Sequence, residues 1–132
     1  MAGTTANLNN TGDNFNLGGQ GIVIVKNLEV IPGGKTLDTT GFTPATIEEG
    51  HLLIEETATG VIKPMPISGT AYAALPASHT YFGVVVSSVR TSKPFVSVLL
   101  RGSVNHVAAV YNATAILAAV KAALPLIRFI QD

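Results

Sequence analysis

Runs of consecutive apolar residues, rather than clean alternation, mark the middle of this chain. Residues 81–106 read YFGVVVSSVRTSKPFVSVLLRGSVNH and hold two β-branched runs, Val84 to Val89 and Phe95 to Leu100. Such residues favour a pleated, half-buried surface. The polar connector between them, residues 90–94, ends in Pro94, which has no N–H to give to a sheet ladder. Two strand-like runs around a short polar connector predict a β-hairpin. Successive side chains of a strand point to opposite faces, so unbroken apolar runs predict a hairpin covered on both sides. The second run is expected to close at Arg101-Gly102, where a charge and a glycine turn the chain.

The flanking pattern supplies further short elements. Ile22-Val23-Ile24-Val25 is a strand signal that Leu28 to Ile31 continues, and Pro32-Gly33-Gly34-Lys35 predicts a turn. Residues 43–50 predict one short helical turn, with Pro44 at its start, acids after it and Gly50 at its end. His51 to Ile54 predicts a strand and residues 57–60 a turn. Residues 61–67 form the return strand, placed at a sheet edge by Pro64 and Pro66. Residues 68–79 read as a surface loop carrying Tyr72 and Leu75. Residues 114–124 are the one convincing helix: alanine-rich, capped by Asn112 or Thr114, stopped by Pro125, with Ile116, Leu117, Val120 and Leu124 on its core face. Residues 126–130 predict a closing strand. The fold class is mainly β (α+β): a compact β-rich domain over residues 21–132, with one C-terminal helix and an extended N-terminal arm over residues 1–20.

The arm is rich in Gly, Asn and Thr, and Asp13 is its only charged side chain. On its own it cannot bury enough apolar surface to offset its ordering entropy. Read functionally it orders on a partner, with Asn14, Phe15 and Leu17 followed by the strand residues Ile22 and Ile24 as the contact set. An extended, uncharged peptide of this kind can add a strand to an exposed sheet edge.

Composition narrows the function. Charged residues make up 12% of the chain, against roughly 25% in typical domains, so part of the uncharged surface is expected to be covered by a partner. The formal net charge is +0, which gives no electrostatic reason to capture nucleic acid or an anionic membrane. No apolar stretch reaches the roughly 20 residues of a membrane span. The opening MAGTTANLNN lacks the basic and apolar regions of a secretory leader, which predicts synthesis in a cytoplasm. With no cysteine there is no thiolate chemistry.

Candidate chemistry is sparse. Pro32 to Thr36 resembles a phosphate loop, but Glu29 stands where that motif needs a glycine and no helix is expected after Thr36. Glu48, Glu49, His51, Glu55 and Glu56 are the densest ionisable cluster, of a type that can bind a metal or act as an acid–base pair. They are expected to be spread over a turn and the far end of a strand. Ser87 and Ser88 lie in no Gly-x-Ser-x-Gly elbow. Two Asn-x-Thr sequons, at Asn9 and Asn112, read as chance without a secretory leader. The expectation is a protein that is not an enzyme and uses no cofactor or metal.

The succession Ile31-Pro32-Gly33-Gly34-Lys35-Thr36-Leu37, then residues 47–54 (IEEGHLLI), then Gly60 to Met65, resembles the head decoration and head-fibre proteins of tailed bacteriophages, the lambda-type capsid-stabilising proteins. The likeness continues in Phe82 to Val86 and is most specific in Leu100-Arg101-Gly102-Ser103-Val104-Asn105 with the alanine-rich helix after it. It spans about residues 30 to 130. Where this chain has Ser103 the family usually carries an acid, so a contact made by that acid is not carried over. The resemblance implies a homotrimer on the outer capsid surface of a virion, bound to the major capsid protein through its N-terminal arms and stabilising the head. Within the class the alternative is the base of a head fibre. From another class it is a carbohydrate-binding module, which needs exposed aromatics, here sought among Tyr72, Tyr81 and Tyr111.

Overall fold

The computed structural model describes residues 23–131. Its strands are β1 (Ile24–Val30), β2 (Lys35–Thr36), β3 (Thr46–Ile47), β4 (Leu52–Glu56), β5 (Ile62–Pro64), β6 (Ile67–Ser68), β7 (Ala71–Tyr72), β8 (His79–Val85), β9 (Val89–Arg90), β10 (Phe95–Val96), β11 (Val98–Asn105) and β12 (Ile127–Ile130). A 3-10 turn at Thr114–Ile116 leads into α1 (Leu117–Ala123). The fold is mainly β with one short C-terminal helix.

A six-stranded sheet forms the centre, in the order β1-β11-β8-β4-β5. Neighbours along this path are antiparallel, and β12 runs parallel to the second half of β11. β1 occupies one side of β11. On the other side β8 pairs only with Val98 and Leu99, and β12 takes over from Gly102 to Asn105. β11 is therefore held by three partners, and β5 lies at the sheet's edge, as Pro64 predicts, but the expected return strand stops there: Pro66 is outside it and Ile67 belongs to β6.

The apolar runs are explained by two cores. Leu52, Ile54, Val84, Leu99 and Val104 point to one face, where Met65, Tyr72, Val120, Leu124, Ile127 and Phe129 cover them. Leu53, Val85 and Val98 point to the other, under Leu37, Ile47 and Val96. Neighbours such as Val84 and Val85, both 0% exposed, thus belong to different cores. At about 25 cal/mol per Å² of apolar area, burying each such side chain contributes roughly 1.5–3 kcal/mol before entropy is counted.

Local signals hold at both ends of the sheet. In the turn after β1, Gly33 and Gly34 take φ of 79° and 72°, open to glycine without cost. At the helix Val120 and Leu124 are buried, but neither expected residue is its cap: Asn112 Oδ1 accepts the Thr114 N–H at 2.8 Å, whereas the caps of the 3-10 turn and of α1 are Ala113 and Ile116, without a side-chain hydrogen bond.

Four further expectations are corrected. Residues 43–50 form no helical turn: Thr46 and Ile47 are strand β3, paired with Arg90 and Val89, and the Thr91 N–H bonds the Ala45 carbonyl. Burying Ile47 completely against a distant strand outweighs the local helix signal. The connector 90–94 is not a plain hairpin loop, because β9 and β10 at its two ends pair with β3 and β2. Residues 68–79 are not merely a surface loop: they contain the β6–β7 hairpin and place Tyr72 in the core. Finally, Arg101-Gly102 does not end β11, which runs on to Asn105. Gly102 sits mid-strand with φ of 154°, and a side chain there would collide with the Lys26 carbonyl oxygen of β1.

Candidate functional site

β1 is the first described strand and lies at one edge of the sheet. Among the described residues nothing pairs with its outer side. Its five central residues, Val25 to Glu29, are exposed, and Val25 and Leu28 leave 49% and 60% of their surface to solvent. Three register shifts against β11, between Ile24 and Lys26, Asn27 and Glu29, and Glu29 and Val30, break its regularity. Such irregularity, with charges at Lys26 and Glu29, is how edge strands avoid indiscriminate pairing.

Most of the exposed large apolar residues lie on segments paired with β11 or next to it in the chain. Val25 and Leu28 lie on β1 along one side of it. Leu126 precedes β12 on the other side, and its carbonyl accepts the Gly102 N–H. Val107 and Val110 follow β11 in the chain, and Phe95 lies on β10. Of the residues expected to form the arm contact, Asn14, Phe15, Leu17 and Ile22 lie outside the described residues. Ile24 belongs to β1 itself, opposite Val104 and packed against the core.

The acidic cluster is not brought together. His51 is 1% exposed, whereas Glu55 and Glu56 sit at the far end of β4, opposite Thr80 and His79 of β8. Glu48 accepts a 3.3 Å hydrogen bond from Ser88 Oγ, which in turn accepts the Glu49 N–H at 2.9 Å. Burial raises the Glu49 carboxyl above its ordinary range, against the opposing effect of a hydrogen bond with the Ile24 backbone. These contacts tie the turn before β4 to the start of β1 and to the 86–88 segment. Among the described residues no group of three or more His, Asp or Glu could hold a metal ion. No helix of the described residues is long and apolar enough to cross a membrane.

What the sequence reading missed is an aromatic cage around His51. The rings of Tyr72, Phe42 and Tyr111 meet the imidazole edge-on, with centroids 5.1, 5.3 and 5.5 Å away. His51 Nε2–H donates to the Met65 carbonyl at 2.9 Å, and Tyr72 Oη accepts the Leu52 N–H at 3.1 Å. A histidine beside a turn carries no local sign of this environment; the only signal was its place directly before the apolar run Leu52 to Ile54. With Tyr72 and Tyr111 engaged on His51, these two tyrosines do not form an exposed platform. Comparison with protein families, curated proteins and solved structures finds no match to this chain.

Proposed function

We propose that this chain is a non-enzymatic virion structural protein of a tailed bacteriophage, made in the host cytoplasm and seated as a homotrimer on the outer capsid surface, where it stabilises the head. The observation that carries the reading is the place of the most family-like stretch. Arg101 to Asn105 forms the second half of β11, clasped between β1 and β12, so the N-terminal segment leads directly onto this strand's open neighbour. The exposed Val25 and Leu28 on β1 give that edge an apolar contact surface, and the major capsid protein is its partner in this reading.

The subunit contact falls to the helix rather than to the central hairpin, whose apolar side chains Val84, Val85, Val98 and Leu99 are consumed by the two cores. The exposed residues of the helical segment are Thr114, Ala115, Ala118, Ala119, Lys121, Ala122 and Ala123, so five are alanines and Lys121 is the one charge. A solvated helix face ordinarily carries several charges, so one of alanines suits close approach by another copy.

The test is co-sedimentation with particles of the encoding phage that lack the protein. The full chain is expected to bind to saturation. A chain without residues 1–20 is expected to keep the thermal stability of the free protein yet bind far more weakly. Binding is expected to change little with salt, since the arm offers almost no charge to screen. Failure of the full chain to bind any particle refutes the virion reading; equal binding of the truncated chain moves the contact to the folded body.

A further inference from the structure

A cleft of about 250 Å³ opens away from the β1 edge, between the 38–42 loop, β5 and the start of β8. Drug-sized sites occupy about 300–1,000 Å³, so this one has room for a single small ring. One wall is apolar: Phe42 with Pro64, Pro66 and Pro76. The polar lining comprises Asp38, Thr40, Lys63 and His79.

Asp38, Thr40, Phe42 and His79 are held in place. The Asp38 carboxylate accepts both the Thr40 N–H, at 3.0 Å, and the Thr40 hydroxyl, at 2.6 Å, while its own N–H bonds the Ile62 carbonyl of β5. Those Thr40 bonds lower its pKa, so it is an ionised acceptor. Phe42 packs edge-on against the caged His51 and against the second core, which fixes its ring. His79 Nδ1–H donates to the Ala77 carbonyl at 2.8 Å, which leaves Nε2 as an acceptor; it is buried and has no hydrogen-bond partner. Ser78, immediately before it, is the one described non-glycine residue with positive φ, at 61°. Its carbonyl accepts both the N–H and the hydroxyl of Thr57, and this pairing holds the strained turn. Strain kept in place by such contacts concentrates at ligand sites.

We propose that this cleft binds one sugar residue of a neutral glycan. A pyranose presents an apolar C–H face and a rim of hydroxyls, each able to donate and to accept. The cleft offers the complement: an aromatic and proline wall, acceptors at the Asp38 carboxylate and the Thr40 hydroxyl oxygen, and a donor at Lys63. A simple anion would find Asp38 repulsive, and a purely apolar ligand would leave the polar groups unpaired at a cost of about 1–3 kcal/mol each. The site is separate from the capsid contact proposed above, and the free protein suffices to test it.

The experiment is a ¹H–¹⁵N NMR titration of the full chain with methyl glycosides of glucose, galactose, mannose and N-acetylglucosamine, and with acetate. At least one glycoside is expected to give saturable shifts at Thr40, Gly41, Lys63 and His79. Asp38→Asn and Lys63→Met are each expected to weaken it about tenfold, the effect of one lost charge-assisted hydrogen bond. Lys35→Met, outside the cleft, should bind as the parent does, and unchanged urea midpoints certify that the variants fold. The proposal is overturned by an absence of saturable shifts with every glycoside, by shifts confined elsewhere, or by undiminished binding in both cleft variants. Acetate reproducing the shifts, with Asp38→Asn binding it more tightly, overturns it in favour of an anion site.

Discussion

Replacing His51 with glutamine should remove a pH dependence of stability that the fold creates. The imidazole is 1% exposed, caged by three aromatic rings, and protonated at Nε2 because that nitrogen donates to the Met65 carbonyl. Its Nδ1 is buried without a partner, so a second proton would place a charge where nothing solvates it. Burial pushes the pKa from 6.5 down to about 4, with the Met65 carbonyl opposing weakly. Above pH 6.5 the ring is neutral whether the chain is folded or not, and the fold bears no penalty. As pH falls from 6.5 towards 4 the unfolded chain takes up a proton that the folded one refuses, so stability declines. At about 1.4 kcal/mol per pH unit, the loss from this residue reaches about 3 kcal/mol near pH 4 and then levels off. His51→Gln can keep a donor for Met65 and has nothing to titrate. Its unfolding free energy in urea, subtracted from that of the parent at steps between pH 7 and 4, cancels what the two share, including the smaller lowering at His106. The expected difference shifts by about 3 kcal/mol in the variant's favour as pH falls. A difference that stays constant across the window refutes the reasoning.

Two further outcomes follow from buried backbone. Gly102→Val introduces a Cβ against the Lys26 carbonyl oxygen at φ of 154°, and should cost about 2–4 kcal/mol by separating β1 from β11; an unchanged denaturant midpoint would contradict it. Tyr72→Phe leaves the buried Leu52 N–H without its acceptor and should cost about 1–3 kcal/mol in urea unfolding, with faster amide exchange at Leu52 as the specific mark. Unchanged stability and exchange at Leu52 would show that water replaces the lost hydroxyl.

Local physics made several features legible in the residues. Apolar neighbours such as Val84-Val85 and Val98-Leu99 state a two-sided sheet, because adjacent strand side chains cannot share a face. Gly33-Gly34 states a turn, and the alanine run before Pro125 states a helix with Val120 and Leu124 inward. Pro64 states an edge strand at β5 because proline has no N–H to give. Other features depend on residues far apart in the chain. Pro44, the two acids and Gly50 are all consistent with a helical turn, and only pairing with Val89 makes Ile47 a strand residue. Arg101-Gly102 looks like a strand end until β1 is seen passing so close that only glycine fits. Asp38, Phe42, Lys63 and His79 share no spacing that marks them as one site; the β4–β5 and β4–β8 pairings bring Lys63 and His79 together, and the Asp38 N–H bond to the Ile62 carbonyl docks the 38–42 loop beside them. His51 is the clearest case. Its low pKa comes from burial among Tyr72, Tyr111 and Phe42, against the opposing pull of the Met65 carbonyl, and each of these is placed by a different segment, so the residue's chemistry exists only once the chain has folded around it.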